Sequence, residues 1–130
     1  MNNRYLYRAK TRSKLWVQGF LSHKDNKFYI SNKAGMPFAY EVVKDTICQC
    51  TGKTDVCKKL IFEHDIVKES HFELTGEVKF GEHEKGYGWY IEWSEKAKYY
   101  REDFLYWQKK VGLEVIKNAF DNPELIEQEE

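Results

Sequence analysis

The sequence predicts a mainly β protein built from antiparallel strands, and three observations support this fold class. Thr75 to Phe80 and Gly88 to Trp93 alternate apolar and charged or small residues with period two, as half-buried strands do. The first 45 residues contain short β-rich runs separated by polar turns, a pattern typical of a meander. Helical periodicity is seen over Arg101 to Val111, where acidic residues come early, lysines come late and Gly112 follows.

In the first half we predict five strands joined by polar turns. Gly19 lies inside the second of them and predicts a bulge or a close approach between backbones. Two loops, His23 to Lys27 and Asn32 to Pro37, should connect neighbouring strands. The predicted strands are Arg4 to Lys10, Leu15 to Leu21, Phe28 to Ser31, Phe38 to Val43 and Ile47 to Cys50, the last stopping at Thr51-Gly52.

In the second half, Leu60 to Lys68 alternates imperfectly and predicts two extended pieces separated by a tight turn. The strands Thr75 to Phe80 and Gly88 to Trp93 form a hairpin with one aromatic face, connected by a loop over Gly81 to Tyr87. We interpret that face as core rather than as a ligand cage. Leu113 to Ile116 is the last predicted strand, and Asn122-Pro123 should begin a C-terminal helical turn.

A chain of 130 residues with 42% hydrophobic content has the size and apolar surface of one compact domain. Its apolar runs are far shorter than the roughly 20 residues of a membrane span. The N-terminus also lacks the apolar stretch of a secretory signal. We therefore expect a single domain over residues 1–130, located in the cytoplasm and without a membrane partner.

The net charge of zero conceals an uneven distribution along the chain. Residues 1–58 contain 11 Lys and Arg against 4 Asp and Glu, whereas residues 59–130 contain 10 against 17. Such a division fits a basic surface for nucleic acid, two regions of one fold that attract each other, or copies that assemble basic half to acidic half. Solvated charge without a partner is the simplest alternative.

The three cysteines, Cys48, Cys50 and Cys57, are close in sequence and odd in number, which suits a reducing compartment. A zinc site could add His64 or His71, but the C-x-C-x6-C spacing is not that of an established zinc finger. We favour partly buried free thiols and predict neither a metal nor another cofactor.

No established catalytic motif occurs in the sequence. The four histidines fall in predicted loops or at strand ends, and adjacent His64 and Asp65 would point to opposite faces of an extended chain rather than form a dyad. P-loop, nucleophile-elbow, zinc-protease and dinucleotide patterns are all missing from the sequence. We therefore predict a protein without catalytic residues that is not an enzyme.

Two non-enzymatic functions remain open. The first is an interaction or regulatory module, self-associating through its oppositely charged halves or through exposed strand edges. The second is a small β-barrel that binds nucleic acid by aromatic stacking beside a basic groove, although a pI near 6.9 is low for such a domain. Candidate nucleic-acid contacts in the basic half are Arg4, Arg8, Lys10, Arg12, Lys14 and Trp16, beside Tyr5 and Tyr7.

Three segments of the chain, taken in order, resemble the YopX family of phage and prophage proteins. The N-terminal segment RYLYRAKTRSKLWVQGFL is similar to the opening of that family. The central QCTGKTDVCKKLIFEHDIVK resembles its Thr-Gly turn, polar loop and apolar strand, and LEVIKNAFDNPELI resembles its closing motif. The ordered trio covers most of the chain.

The resemblance implies a mainly β protein whose C-terminal part is an SH3-like barrel or roll, so that residues 1–58 would be a basic meander and residues 59–130 an acidic barrel part. It implies no activity and no functional residues. The sequence departs from the family pattern at Cys50, Cys57, His64 and Lys117. His64 and Lys117 replace glycines, so each of them must tolerate a positive φ or the local turn differs.

Overall fold

A computed structural model of the chain describes residues 5–31 and 39–121. The chain divides into two compact units between Gly52 and Lys53, so the structural boundary comes six residues before the change in charge. Both units are mainly antiparallel β structure, which confirms the predicted fold class. Whether the two units act as one domain stays a prediction.

The strands of the first unit form one antiparallel sheet in the order β4-β3-β2-β1-β5. Asp25 and Asn26, the two turn residues between β2 and β3, both have positive φ, as two-residue hairpin turns require. The predicted loop from His23 to Lys27 therefore shortens to two residues, because the strands extend to meet it. The strands are β1 (Tyr7–Lys10), β2 (Trp16–Lys24), β3 (Lys27–Ser31), β4 (Tyr40–Val42) and β5 (Cys48–Thr54).

Strand β5 continues past Thr51-Gly52, where we predicted its end. Gly52 adopts a φ of 83°, a conformation open to glycine at little cost, so the chain bends there without leaving the strand. The prediction was wrong because we interpreted the Thr-Gly pair as a turn.

One face of the first sheet carries a small apolar cluster. Ala9, Ile30 and Val42 are buried at its centre. Gly19 lies on this face, and a Cβ atom there would overlap the backbone carbonyl of Ser31. The predicted close backbone approach at Gly19 is thus confirmed. Partly buried apolar residues surround the centre, namely Tyr7, Val17, Leu21, Phe28 and Ile47.

The second unit contains a four-stranded antiparallel sheet in the order β10-β7-β8-β9. Among the described residues this sheet stays open, with β10 and β9 at its edges, so the SH3-like barrel is not formed. A helical segment covers part of the apolar face, which closure of the sheet would otherwise bury. The strands of this unit are β6 (Leu60–Phe62), β7 (Asp65–Glu69), β8 (Thr75–His83), β9 (Gly86–Trp93) and β10 (Leu113–Asn118).

The β8–β9 hairpin has the face that the alternation predicts. Val78 pairs with Ile91 and both are fully buried, whereas Phe80 pairs with Trp89 nearer the tip and is 43% exposed. The predicted loop over Gly81 to Tyr87 is wrong, because the ladder of paired residues continues to His83 and Gly86 and leaves a two-residue turn. Core packing therefore accounts for the base of the aromatic face but not for its tip.

The helical segment consists of one short α-helix, α1 (Phe104–Tyr106), which continues as a π-helical turn over Trp107–Val111. This confirms the predicted short helix and its glycine end, since Gly112 has a φ of 110° and donates its N–H to the Trp107 carbonyl at 2.7 Å. The indole Nε1–H groups of Trp93 and Trp107 both donate to the Arg101 carbonyl, at 2.9 and 2.7 Å. One backbone oxygen thus positions two tryptophans.

The tight turn predicted inside Leu60 to Lys68 lies between β6 and β7. His64 occupies it with a φ of 70°, so it tolerates the conformation that glycine would favour. Lys117 instead lies in β10 next to a bulge between Val115 and Lys117, and its φ is not positive, so the local turn differs from one that needs a glycine.

The loop over Asn32 to Pro37, the C-terminal helical turn and Phe38 lie outside the described residues. Within the described ranges, no helix is both long and apolar enough to cross a membrane.

Candidate interaction surface

The β1–β2 hairpin brings together three of the residues proposed as nucleic-acid contacts. Antiparallel pairing places Lys10 opposite Trp16 and Arg8 opposite Gln18. Arg8 Cζ lies 5.1 Å from the centroid of the Trp16 ring, and Lys10 Nζ lies 5.3 Å from it. Both cations are therefore within cation–π range of one indole. Arg8 and Lys10 share a face of β1, as the sequence predicts.

Arg12 and Lys14 lie in the turn that joins β1 to β2. The turn is closed by hydrogen bonds from Thr11 N to Leu15 O and from Lys14 N to Thr11 O, both 2.9 Å long. Lys14 has a φ of 69°, and the Arg12 side chain is 81% exposed. Arg12 Nη2 is 3.4 Å from Glu41 Oε2, a long and solvated ion pair that contributes little stability.

A cleft of about 540 Å³ opens beside this turn, entirely within the first unit. Its apolar wall includes Leu15 and Tyr40, which are 65% and 56% exposed, large values for side chains of this kind. Arg12 and Glu41 supply its charges. The cleft is lined by Thr11, Arg12, Ser13, Leu15, Trp16, Val17, Tyr40 and Glu41.

The structure brings Arg8, Lys10 and Trp16 into contact and places Arg12 and Lys14 next to them, while Arg4 lies outside the described residues. Tyr7 packs against the apolar cluster instead of facing the cations. Leu15, Tyr40 and Glu41 were not identified from the sequence. Tyr40 and Glu41 come from β4, and only the pairing of distant strands places them beside the first turn.

In the second unit, buried acidic side chains bind backbone amides. Glu69 is fully buried, and its carboxylate accepts hydrogen bonds of 2.7 to 3.1 Å from the N–H groups of His71, Phe72 and Leu74. Asp55 Oδ1 accepts from Cys57 N and Lys59 N, and Asp55 Oδ2 accepts from Val115 N, each at 2.9 Å. These carboxylates hold loops and a strand edge in place.

This use of carboxylates changes the meaning of the charge imbalance. Of the 17 acidic residues in 59–130, Asp65 and Glu69 are buried, and residues 122–130 add four glutamates with no Lys or Arg. Residues 59–121 then contribute 11 other acids against 10 Lys and Arg. The excess negative charge therefore belongs mainly to the interior and to the C-terminal segment, whereas the cations of the first unit are largely on its surface.

The histidine and cysteine side chains are engaged in local contacts. His64 Nδ1 lies 2.7 Å from Glu77 Oε2, whereas Asp65 Oδ2 accepts a hydrogen bond from Phe62 N, so these neighbours bond to different groups. Cys48 and Cys50 are buried, Cys57 is exposed, and all three are in the reduced form. Within the described ranges, no group of three or more His, Cys, Asp or Glu side chains is arranged to hold a metal ion.

Three groups on the segment before α1, namely Tyr100, Arg101 and Asp103, have perturbed pKa values. Hydrogen bonds from the Arg101 guanidinium, 2.7 and 2.8 Å long, lower the pKa of the Asp103 carboxyl. Burial, with a smaller contribution from Glu69, raises the pKa of the Tyr100 hydroxyl.

Comparison with known proteins gives one match. No curated protein and no solved structure is significantly similar to the chain. The family model described as YopX protein matches residues 2–127, almost the full length, and includes all three segments on which the resemblance depends. The chain therefore belongs to the YopX protein family.

Proposed function

We propose that this protein is a non-enzymatic interaction or regulatory module whose contact surface is the cleft beside the β1–β2 turn. The observation that carries the proposal is the exposure of Leu15 and Tyr40 at the wall of a 540 Å³ cleft next to exposed Arg12. Clustered exposed apolar side chains with a polar rim are typical of protein contacts. Membership of the YopX family supports a phage or prophage gene whose product acts in the cytoplasm of the bacterial host.

The lining of the cleft favours a polypeptide ligand over a nucleic-acid backbone. Leu15 and Val17 provide apolar contact without charge, and Glu41 places a carboxylate within 3.4 Å of Arg12. A phosphate chain offers no apolar group to cover that wall, whereas a peptide can offer both an apolar side chain and a group that bonds Arg12 or Glu41.

The arrangement of acidic groups supports a function without catalysis. Asp55 and Glu69 together accept hydrogen bonds from six backbone N–H groups, counting Cys57, Lys59, Val115, His71, Phe72 and Leu74. A carboxylate held in this way stabilises the fold and is a poor general base, because its lone pairs are already occupied.

The proposal is tested by capture of partners from host lysate after chemical cross-linking, read by mass spectrometry. Leu15→Ser combined with Tyr40→Ser removes the apolar wall. Val56→Ser combined with Tyr87→Ser is the matched control, since those residues are similarly exposed in the second unit. We expect the wild type and the control to capture the same defined protein and the cleft variant to lose it. Equal capture by all three proteins would contradict the use of this cleft.

A second function, binding to single-stranded nucleic acid, is favoured by the contact of Arg8 and Lys10 with Trp16. An aromatic ring flanked by cations can stack a base beside its phosphates. Fluorescence anisotropy with a labelled oligonucleotide of about 20 nucleotides, at about 50 and about 200 mM salt, tests this function. Binding that weakens at the higher salt and is lost in Lys10→Gln would support nucleic-acid binding. No binding at the lower salt would contradict it.

A further inference from the structure

We infer that the cleft of the first unit binds the acidic C-terminal segment, residues 122–130, of a second copy of this chain. The inference rests on the proposed use of the cleft as a contact surface and adds the identity of its ligand. The segment reads NPELIEQEE and combines two large aliphatic residues, Leu125 and Ile126, with four glutamates.

The two surfaces match in apolar character. The cleft presents Leu15, Tyr40 and Val17, and the first two of these are more than half exposed. Leu125 and Ile126 supply aliphatic side chains of the kind that would cover this wall. Covering apolar surface is the main favourable contribution to association, so this contact gives the complex its affinity.

The two surfaces also match in charge. The described part of the first unit contains 7 Lys and Arg against 3 Asp and Glu, and four of these cations, Arg8, Lys10, Arg12 and Lys14, lie on or beside the β1–β2 turn. Arg12 makes a long, solvated contact with Glu41, so a glutamate of the segment can bond to Arg12 at small cost. In this arrangement the attraction between copies acts between one cleft and one acidic segment. It does not need the whole basic half of one copy to face the whole acidic half of another.

A second copy, rather than the same molecule, is the committed partner because the contact can then be made twice. Each copy carries one cleft beside the cations of the β1–β2 turn and one acidic segment, so two copies can exchange segments around a two-fold axis. After the first contact forms, the second is intramolecular and strengthens the pair.

The experiment uses full-length chains and charge reversal. Variant one carries Arg12→Glu and Lys14→Glu, and variant two carries Glu127→Lys, Glu129→Lys and Glu130→Lys. Lys24→Glu with Lys27→Glu is the matched control, because it reverses two exposed lysines at a different turn of the same sheet. Sedimentation velocity is measured from about 10 to about 500 μM protein, at about 50 and about 500 mM NaCl. Circular dichroism checks that each variant is folded.

We expect dimers of the wild type and of the control, with the dimer dissociation constant rising about tenfold or more at the higher salt. Variants one and two should each be monomeric alone, since each brings like charges together. Mixed in equal amounts they should form a heterodimer, because the acidic segment of variant one meets the basic cleft of variant two, and the reversed pair also matches.

A wild type that is monomeric throughout this range, or a mixture that fails to associate, would overturn the inference. Those results leave the proposed function standing if the Leu15→Ser and Tyr40→Ser variant still loses its captured partner. If that variant captures partners as the wild type does while the charge-reversed mixture associates, the broader function fails and the contact between copies stands.

Discussion

The two units of this protein use charged residues in opposite ways. In the first unit, exposed Arg12 and Lys14 lie in the β1–β2 turn, and half-buried Arg8 and Lys10 lie beside it on β1. The second unit buries carboxylates and bonds them to backbone N–H groups, as Glu69 does with three loop residues. The difference teaches that charge counted along a sequence does not measure charge on a surface.

Removal of the Glu69 carboxylate should give the largest effect. Glu69→Ala leaves the N–H groups of His71, Phe72 and Leu74 without their acceptor in a fold that buries the site, and we expect a loss of about 3 kcal/mol in the free energy of unfolding. Urea denaturation followed by tryptophan fluorescence measures this loss. Glu82→Ala removes an exposed glutamate of the same unit and should change stability by less than about 0.5 kcal/mol. Equal effects of the two substitutions would contradict the structural use of Glu69.

Stability of the first unit should depend on the close contact of two backbones. Gly19→Ala adds a methyl group where the Ser31 carbonyl lies, so β2 and β3 must separate locally, at a cost of about 2.5 kcal/mol. The free energy of unfolding, measured by circular dichroism in urea, provides the test. Gln18→Ala changes the neighbouring exposed position and should be almost neutral. A stable Gly19→Ala protein would show that the strands are further apart than described.

A finer test of the second unit replaces one oxygen by an amide group. In Asp55→Asn one side-chain atom that accepts an N–H becomes a donor, so either the Val115 contact or the contacts with Cys57 and Lys59 are lost. We expect a loss of about 2 kcal/mol. Thermal and urea unfolding measure it, with Asp45→Asn on the surface of the first unit as the control. Equal stability of the two variants would contradict a stabilising role for the Asp55 carboxylate.

The smallest effect concerns an exposed ion pair. Because Arg101 lowers the pKa of the Asp103 carboxyl, this pair adds stability above the ordinary carboxyl pKa of about 3.9 and loses it as pH falls through that value and below. Asp103→Asn should therefore reduce the fall in stability between neutral and acidic pH, by a small amount. Unfolding curves at several pH values test the sign, and a variant whose stability falls more steeply with acid than the wild type would contradict it.

Periodicity was enough to predict the fold class, the aromatic hairpin and the short helix, because each depends on residues near one another in sequence. The close approach at Gly19 also followed from a single residue, and the tight turn followed from the interrupted alternation of Leu60 to Lys68. The predicted end of β5 was wrong, because the strand continues through the bend at Gly52. The closed barrel that the family resemblance implies is not formed among the described residues, where residues 104–111 cover part of the apolar face of the open sheet.

The candidate surface was half predictable. Arg8, Lys10 and Trp16 belong to one local hairpin. Alternation along β1 places the two cations on one face, and the pairing of β1 with β2 places the Trp16 ring beside them. Leu15 was predicted to begin the second strand, yet it lies before β2 and is exposed. Tyr40 and Glu41 reach the cleft only through the order of strands in the sheet. The structural role of Asp55 and Glu69 was missed for a similar reason, since the sequence shows a carboxylate but not which amides surround it.

The side chain of Asp55 also limits what can be added to the second sheet. Its Oδ2 atom accepts the Val115 N–H, and the neighbouring Val56 N–H donates to the Leu113 carbonyl at 2.9 Å, so part of the outer margin of β10 is already hydrogen-bonded. A foreign strand could add there only by displacing a buried carboxylate. Fibril growth by strand addition is thereby hindered along the part of β10 that these hydrogen bonds cover.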